Sequence, residues 1–242
     1  MFVEALARAG VALTAPTIET NPVQLLPARN SYSSNTRVAQ LTSQTLDQYA
    51  KWVLKVSYNI GADTSLMLFG VASNGATTLD SALAAEHATL SGPSYNVPMD
   101  QTHFIDGSGG GETTATSIAV IAMLRAMNGR AAYPAYVHAL PFLSVDGSLA
   151  STTGFESDPT LAGAKGKVYA KTGTYATGST GANGQSVLTL KGQALAGYVD
   201  AKSGRRLAFV MIVNNVPIAN VPDVVNVFQD QGTISAIIWK LR

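Results

Sequence analysis

The stretch Val168-Tyr169-Ala170-Lys171-Thr172-Gly173-Thr174 sets a lysine, a hydroxyl, a glycine and a second hydroxyl in consecutive positions. Lys171 supplies a compact point charge with three hydrogen-bond donors. Gly173 removes a side chain, so a ligand can approach the backbone closely. Lys171, Thr172, Gly173 and Thr174 therefore form a candidate binding strand, although Lys171 taken alone equally suits an exposed lysine on an edge strand. The pattern Ser-x-Asn, a hydroxyl two residues from an amide, occurs three times: Ser33-Ser34-Asn35, Ser57-Tyr58-Asn59 and Ser94-Tyr95-Asn96. The first copy lies in a polar loop. The third follows Gly92-Pro93 in a loop with no flanking helices. Only Ser57 sits at the junction of two apolar helices, where a buried turn would hold Ser57 and Asn59 rigidly. The plainer alternative for Ser57 is a helix cap.

Other chemistry is less well supported. Asp106-Gly107-Ser108-Gly109 could hold a nucleophilic serine, but Gly-x-Ser-x-Gly surrounds no serine in the chain. A loop this rich in glycine is more often a tight bend. His87, His103 and His138 have no Asp or Ser at a recognisable spacing and read as structural. No His or carboxylate cluster has metal-ligand spacing. Gly107 to Gly111 is not followed by Gly-Lys-Ser/Thr and is not a phosphate loop. No metal and no cofactor is expected.

These residues need elements to hold them. Met1 to Arg8 reads as a helix already under way, ended by Gly10. Residues 11–41 are rich in Pro, Asn and Ser and read as extended segments and loops. Thr42 to Val56 is an amphipathic helix, with Leu46, Tyr49, Ala50, Val53 and Leu54 on its apolar stripe. Residues 57–61 interrupt it, a short helix follows over about 62–70, and Ser73-Asn74-Gly75 breaks the pattern again. Asp106 to Gly111 can only be a loop. A helix starts near Thr114 or Thr116, either of which can cap it. Val120, Met123, Leu124 and Met127 form its stripe, and Asn128-Gly129 ends it. Asp146-Gly147-Ser148 is a turn. Strands follow at 166–175, about 190–201 and about 205–214, with Lys202-Ser203-Gly204 as a hairpin turn. Pro222 opens a C-terminal helix, whose apolar face is Ile234, Ile237, Ile238 and Leu241. Helices, then an antiparallel meander, then a covering helix make an α+β layered fold.

The composition sets outer bounds. The chain has 242 residues and a net charge of +1, with only 13% charged residues. Such a balance gives no electrostatic case for nucleic acid or an anionic membrane. No apolar run approaches the ~18 residues of a membrane span. There is no cysteine, which excludes disulfides and thiolate chemistry. The N-terminus lacks the basic start and long apolar middle of a signal peptide.

Taken together, the segments resemble the D-alanyl-D-alanine carboxypeptidase/endopeptidase family of low-molecular-mass penicillin-binding proteins, in the branch with inserted domains. Leu41 to Gly70 resembles the family's helix–Ser-x-Asn–helix segment. Asp106 to Met127 is similar to its Asp-Gly-Ser-Gly loop and the helix after it. Leu140-Pro141 and Asp146-Gly147-Ser148-Leu149 resemble its Leu-Pro…Asp-Gly-Ser-Leu element. Gly166 to Thr174 resembles its Ala-Lys-Thr-Gly-Thr/Ser strand. Ala196-Gly197-Tyr198-Val199, and Ala208-Phe209-Val210 running to Asn214-Asn215, are similar to the next two strands. These matches occur in the family's order over nearly the whole chain.

The resemblance implies the transpeptidase fold of penicillin-binding proteins and serine β-lactamases, an antiparallel sheet covered by helices. It implies an acyl-enzyme reaction on peptidoglycan stem peptides, and binding of β-lactams. Ser57 would relay a proton to the leaving amine, and Asn59 would hold the substrate amide. Lys171 would bind the terminal carboxylate with help from Thr172 and Thr174, and the Thr174 N–H would donate to an oxyanion. It also implies a place outside the cytoplasmic membrane, in the periplasm or cell wall. The family's nucleophile lies in Ser-x-x-Lys, and no lysine of this chain has a serine three residues before it. The expectation is therefore a C-terminal portion that lacks the N-terminal part of the fold. Residues 1–40 would be the tail of an inserted region and 41–242 the C-terminal part of the catalytic domain. A companion polypeptide would carry the nucleophile and pair with residues 206–214, a strand apolar enough to be buried on both faces. The alternatives are a binding remnant that cannot acylate, and an esterase on the same fold.

Overall fold

A computed structural model describes residues 2–12, 14, 31, 33, 35, 39–180, 184 and 186–242. It divides into two compact units, Met1–Ser43 and Gln44–Arg242. In the first unit, helix α1 (Phe2–Arg8) carries an acid in its first turn and a base in its last, matching the helix dipole. Gly10 ends it at φ +76°, and the Val11 N–H returns to the Leu6 carbonyl. Most of the expected extended stretch at 11–41 lies outside the described residues, as does Ser34 of the first Ser-x-Asn copy.

The second unit opens with three helices, α2 (Leu46–Val56), α3 (Asn59–Asn74) and α4 (Leu79–Ser91). Helix α2 starts at the first residue of its stripe, four residues after the expected Thr42, with Thr45 at the cap position. Helix α3 is longer than expected, running from Asn59 to Asn74 and ending at Gly75, φ +70°. Helix α4 has no strong stripe for sequence reading to detect; Thr78 and Ser81 start it with a reciprocal capping box. It ends one residue before Gly92, so the third Ser-x-Asn copy follows a helix rather than an isolated loop.

The strand pair β1 (Thr102–His103) and β2 (Thr114–Ala115) brackets the glycine-rich loop. Thr116 then caps α5 (Ser117–Met127) by accepting from the Ala119 N–H. Helix α6 (Tyr133–Ala139) precedes a run of short turns. Strands β3 (Val168–Thr180), β4 (Ser186–Asp200) and β5 (Arg206–Ile218) form an antiparallel meander in that order. Each is longer than its sequence signal. Ala201 and Arg205 close the β4–β5 hairpin, with Gly204 at φ +83°.

The sheet has a helical layer on each face. On one, Val168, Ala170, Leu195, Val199 and Phe209 pack with Leu143, Phe155 and Ala236 of α7 (Val221–Leu241). On the other, Tyr198 packs against Leu124 of α5, Val137 of α6 and Leu140. The Tyr198 hydroxyl donates to the Leu124 carbonyl at 2.6 Å, which satisfies its buried polar end.

One sequence expectation is corrected. Helix α7 does not turn its branched residues inward: Ile234, Ile237 and Leu241 are exposed, while Gln231, Gly232, Ser235 and Ala236 are buried. The helix lies too close for bulk, since a Cβ on Gly232 would fall 2.2 Å from Thr152 Cγ2. Ile238 and Trp239 alone add large side chains to that core. Strand β5 is half-buried and, among the described residues, leaves its outer edge open. Of Leu207 to Val213 only Phe209 is buried, and among the described residues β5 pairs only with β4.

The tightest strand contact is at Gly197, where a Cβ would lie 2.0 Å from the Tyr169 carbonyl oxygen and 2.7 Å from Ala170 Cα. Backbone cannot yield there without breaking the β3–β4 ladder. Gly197→Ala is expected to lower stability by about 2–4 kcal/mol, measured as a fall in the urea midpoint.

Candidate active site

The site starts at the end of α2. Ser57 adopts the left-handed conformation, φ 57° and ψ 53°, a position usually held by glycine. The Tyr58 N–H returns to the Val53 carbonyl, and α3 departs at once from Asn59. The two helices meet closely because Gly61 has no side chain. A Cβ there would come within 2.6 Å of Val53 and 2.7 Å of Tyr58. The Tyr49 hydroxyl donates to the Gly61 carbonyl and closes the corner.

Lys55, two residues before Ser57, anchors this corner to the sheet. Its ammonium lies 2.7 Å from both Asp146 oxygens, donates to the Leu140 carbonyl, and sits 3.8 Å above the Phe142 ring. Asp146 Oδ1 also accepts from the Phe142 N–H. Gly147, at φ +59°, is pressed against the Lys55 carbonyl, where a Cβ would stand 2.6 Å away. The same loop is stitched to β3. Ala170 N–H donates to Pro141 and Leu143 N–H to Val168, and the Ser148 and Thr172 hydroxyls are 2.7 Å apart. Sequence reading took residues 146–148 as a turn and as part of the family's Leu-Pro…Asp-Gly-Ser-Leu element, and gave Lys55 no role, because its partner is 91 residues away and no local pattern marks it.

Lys171 therefore meets the α2–α3 corner. Its ammonium donates to Ser57 Oγ at 2.7 Å and to the Thr172 carbonyl. Ser57 and Lys171 are 114 residues apart in sequence. The third wall is the glycine-rich loop. Asp63 of α3 accepts from the Gly107 N–H, and Asp106 Oδ1 accepts from the N–H groups of Ser108, Gly109 and Gly110. Between the walls is a cleft of about 540 Å³ lined by Ser57, Asn59, Lys171, Thr172, Gly173 and Thr174 among others. All six residues proposed from sequence thus line one space. Their roles in it differ. Thr172 is buried with its hydroxyl on Ser148, and Thr174 donates to Gln193 Oε1, so both hydroxyls hold the strand. Ser94 does not line this cleft.

Burial pushes the Lys171 ammonium down from its ordinary 10.5 to about 8. No carboxylate offsets that burial. Asp63 and Asp106 are occupied by the glycine-rich loop and Asp146 by Lys55. Among the described residues no group of acids and histidines has the arrangement of a metal site.

A family model described as the D-Ala-D-Ala carboxypeptidase 3 (S13) family matches residues 2–230. No curated protein matches the chain. Among solved structures, penicillin-binding protein 4 from Haemophilus influenzae is similar at 19% identity over 80% of this chain and 39% of its own, TM-score 0.61. The same protein complexed with a novel β-lactam gives 19% identity over 80% and 41%, TM-score 0.63. A predatory endopeptidase from Bdellovibrio bacteriovorus, in complex with an immunity protein, gives 21% identity over 80% and 43%, TM-score 0.55. The chain thus spans about two fifths of the length of each of these three structures.

The position of Lys171 predicts a pH-dependent stability. The folded chain releases this proton near 8 and the unfolded chain near 10.5. Between those values the unfolded chain binds more protons, so this group makes stability rise with pH. Lys171→Met should accordingly be more stable than wild type at pH 7, by about 1–2 kcal/mol after loss of the Ser57 hydrogen bond. The gap should close between pH 8 and 10.5 in paired urea unfolding curves.

Proposed function

The chain belongs to the D-Ala-D-Ala carboxypeptidase (S13) family, and on that premise we propose that it forms the carboxylate-binding half of a serine D-Ala-D-Ala carboxypeptidase/endopeptidase site. The substrate class is peptidoglycan stem peptides, with β-lactams as mimics of the same acyl group. The observation that carries this reading is the 2.7 Å contact between Lys171 and Ser57 in a ligand-sized cleft. At neutral pH Lys171 is mostly protonated, and its ammonium attracts the C-terminal carboxylate of the substrate. Partial burial strengthens that attraction relative to water. Ser57 bridges Lys171 to the reacting centre and passes a proton to the leaving amine. Asn59, the first residue of α3, lines the cleft and holds the substrate amide. Gly173 leaves the strand open to the peptide, and the Thr174 N–H serves the oxyanion.

The nucleophile of this reading is a Ser-x-x-Lys supplied by a companion part, since none occurs in the 242 residues. The open edge of β5 and the exposed Val221, Val225, Ile234 and Leu241 of α7 support such a companion. Residues 41–242 then form the C-terminal part of a catalytic domain that acts outside the cytoplasmic membrane. No helix among the described residues is long and apolar enough to cross a membrane. The missing Ser-x-x-Lys also supports a second reading, a module that binds stem peptides or β-lactams without turnover.

Two measurements test the proposal. In the protein that includes the companion part, Lys171→Ala should abolish labelling by a fluorescent penicillin; labelling at the wild-type rate would refute the role of Lys171. In this chain alone, N-acetyl-D-alanyl-D-alanine should bind about 10- to 100-fold more weakly after Lys171→Ala, the worth of a hydrogen bond to a charged group. Binding should also weaken above pH 8 as Lys171 loses its proton.

A further inference from the structure

The Ser57–Lys171 pair has the parts of a nucleophile and its base, beyond the relay assigned to it above. Its two functional atoms are already within proton-transfer reach at 2.7 Å. Ser57 stands at a strained left-handed turn between two helices, which projects its hydroxyl into the cleft. A serine raised on a sharp turn and touching a desolvated amine meets the geometric signature of an activated nucleophile.

The surroundings favour attack. Helix α3 begins two residues after Ser57 and runs for 16 residues, and no side chain caps its first turn. Its N-terminus, two residues after Ser57, contributes the positive end of the α3 dipole on the Ser57 side of the cleft. The base is left unclaimed by acids on every packed element. Asp63 on α3 is held by Gly107, Asp106 by its own loop, and Asp146 by Lys55. The titratable groups on the cleft wall are Tyr58 and Tyr175, and β4 contributes only Gly192 and Ala194.

We infer that Ser57 and Lys171 are a serine–lysine dyad that takes the acyl group of small, activated esters lacking a free carboxylate, independently of any Ser-x-x-Lys. In the first step Ser57 Oγ bonds to the ester carbonyl carbon while neutral Lys171 Nζ accepts the hydroxyl proton. The ester C–O bond breaks, and Lys171 returns that proton to the departing alcohol oxygen. In the second step water attacks the acyl-Ser57 carbonyl carbon, Lys171 takes the water proton, and Ser57 Oγ leaves and is reprotonated. The net reaction is ester plus water giving acid plus alcohol. A carboxylate-bearing ligand opposes this chemistry, because it holds Lys171 in its protonated form. The two uses of the cleft therefore separate by pH. Carboxylate binding falls as Lys171 deprotonates near 8, and nucleophilic reactivity rises over the same range.

The test uses this chain and p-nitrophenyl acetate as the probe, with intact mass and peptide mapping as readouts. The expected result is an acetyl group on Ser57, formed at a rate that rises with pH through about 8 and then levels. Ser57→Ala should remove the adduct. Lys171→Arg, which keeps the cation but supplies no base, should slow it about 100-fold or more. Acetylation confined to surface lysines would overturn the dyad, and so would a Ser57 adduct formed equally fast in Lys171→Arg. The wild-type pH profile decides independently of any variant, since a rate with no inflection between pH 7 and 9 excludes Lys171 as the base. N-acetyl-D-alanyl-D-alanine binding, measured alongside, reports on the carboxylate-site proposal separately: its absence with Ser57 acetylated would sink that proposal and leave the dyad standing.

Discussion

The ammonium of Lys55, at the last turn of α2, has only 12% of its side chain exposed and must find partners inside the fold. It finds a carboxylate, a carbonyl and an aromatic face, all from residues 140–146. Asp146 is 41% exposed, so the pair is only part-buried, but removing Asp146 would leave a largely buried ammonium without its ionic partner. Two residues later the chain must already be in the left-handed turn at Ser57. The same loop that holds Lys55 is hydrogen-bonded to β3 through Pro141, Leu143 and Ser148. The distance from Ser57 to Lys171 is therefore set by an interaction that touches neither of them.

The layers around this anchor are built from small residues at the points of closest approach. Gly61 brings α3 onto α2, Gly107 fits under Ala62, and Gly232 lets α7 lie on Thr152. Each replaces side-chain volume with backbone proximity, which leaves the cleft walls little room to relax. The sheet is asymmetric in its edges. Strand β3 is partly covered by the Phe142 bridge and then opens into the cleft. Strand β5 is open along its outer side among the described residues. The first opening suits a ligand and the second suits another strand.

Electrostatically the site is economical. The acids near the cleft are each engaged by loop N–H groups or by Lys55, so none neutralises Lys171. Burial alone then lowers its proton affinity. A lysine in that condition is poised between two uses, a cation that attracts carboxylates and an amine that accepts a proton. Which one dominates depends on pH and on the charge of the ligand.

Much of this was legible in the amino-acid order. The α+β class, the β4–β5 turn at Lys202-Ser203-Gly204, the narrowing of the α5 cap to Thr114 or Thr116, and the placing of Ser57 at the junction of two helices rest on local signals that act over a few residues. The family is legible in the ordered motifs. Helices α4 and α6 escaped detection because neither has a strong apolar stripe, and a weak stripe is enough when the helix is short or rich in alanine. The face of α7 was misread because apolar periodicity measures hydrophobicity, whereas its packing against Thr152 and Gln193 demands small or hydrogen-bonding residues. The Lys55–Asp146 anchor left no trace in the sequence. Its partners come together only when α2 packs on the 140–149 loop, and a charge pair across 91 residues has no period or spacing to betray it. The sequence thus determined which residues line the cleft. The tertiary structure alone decided how far apart they stand, because that distance depends on burial and pairing between segments that are remote along the chain.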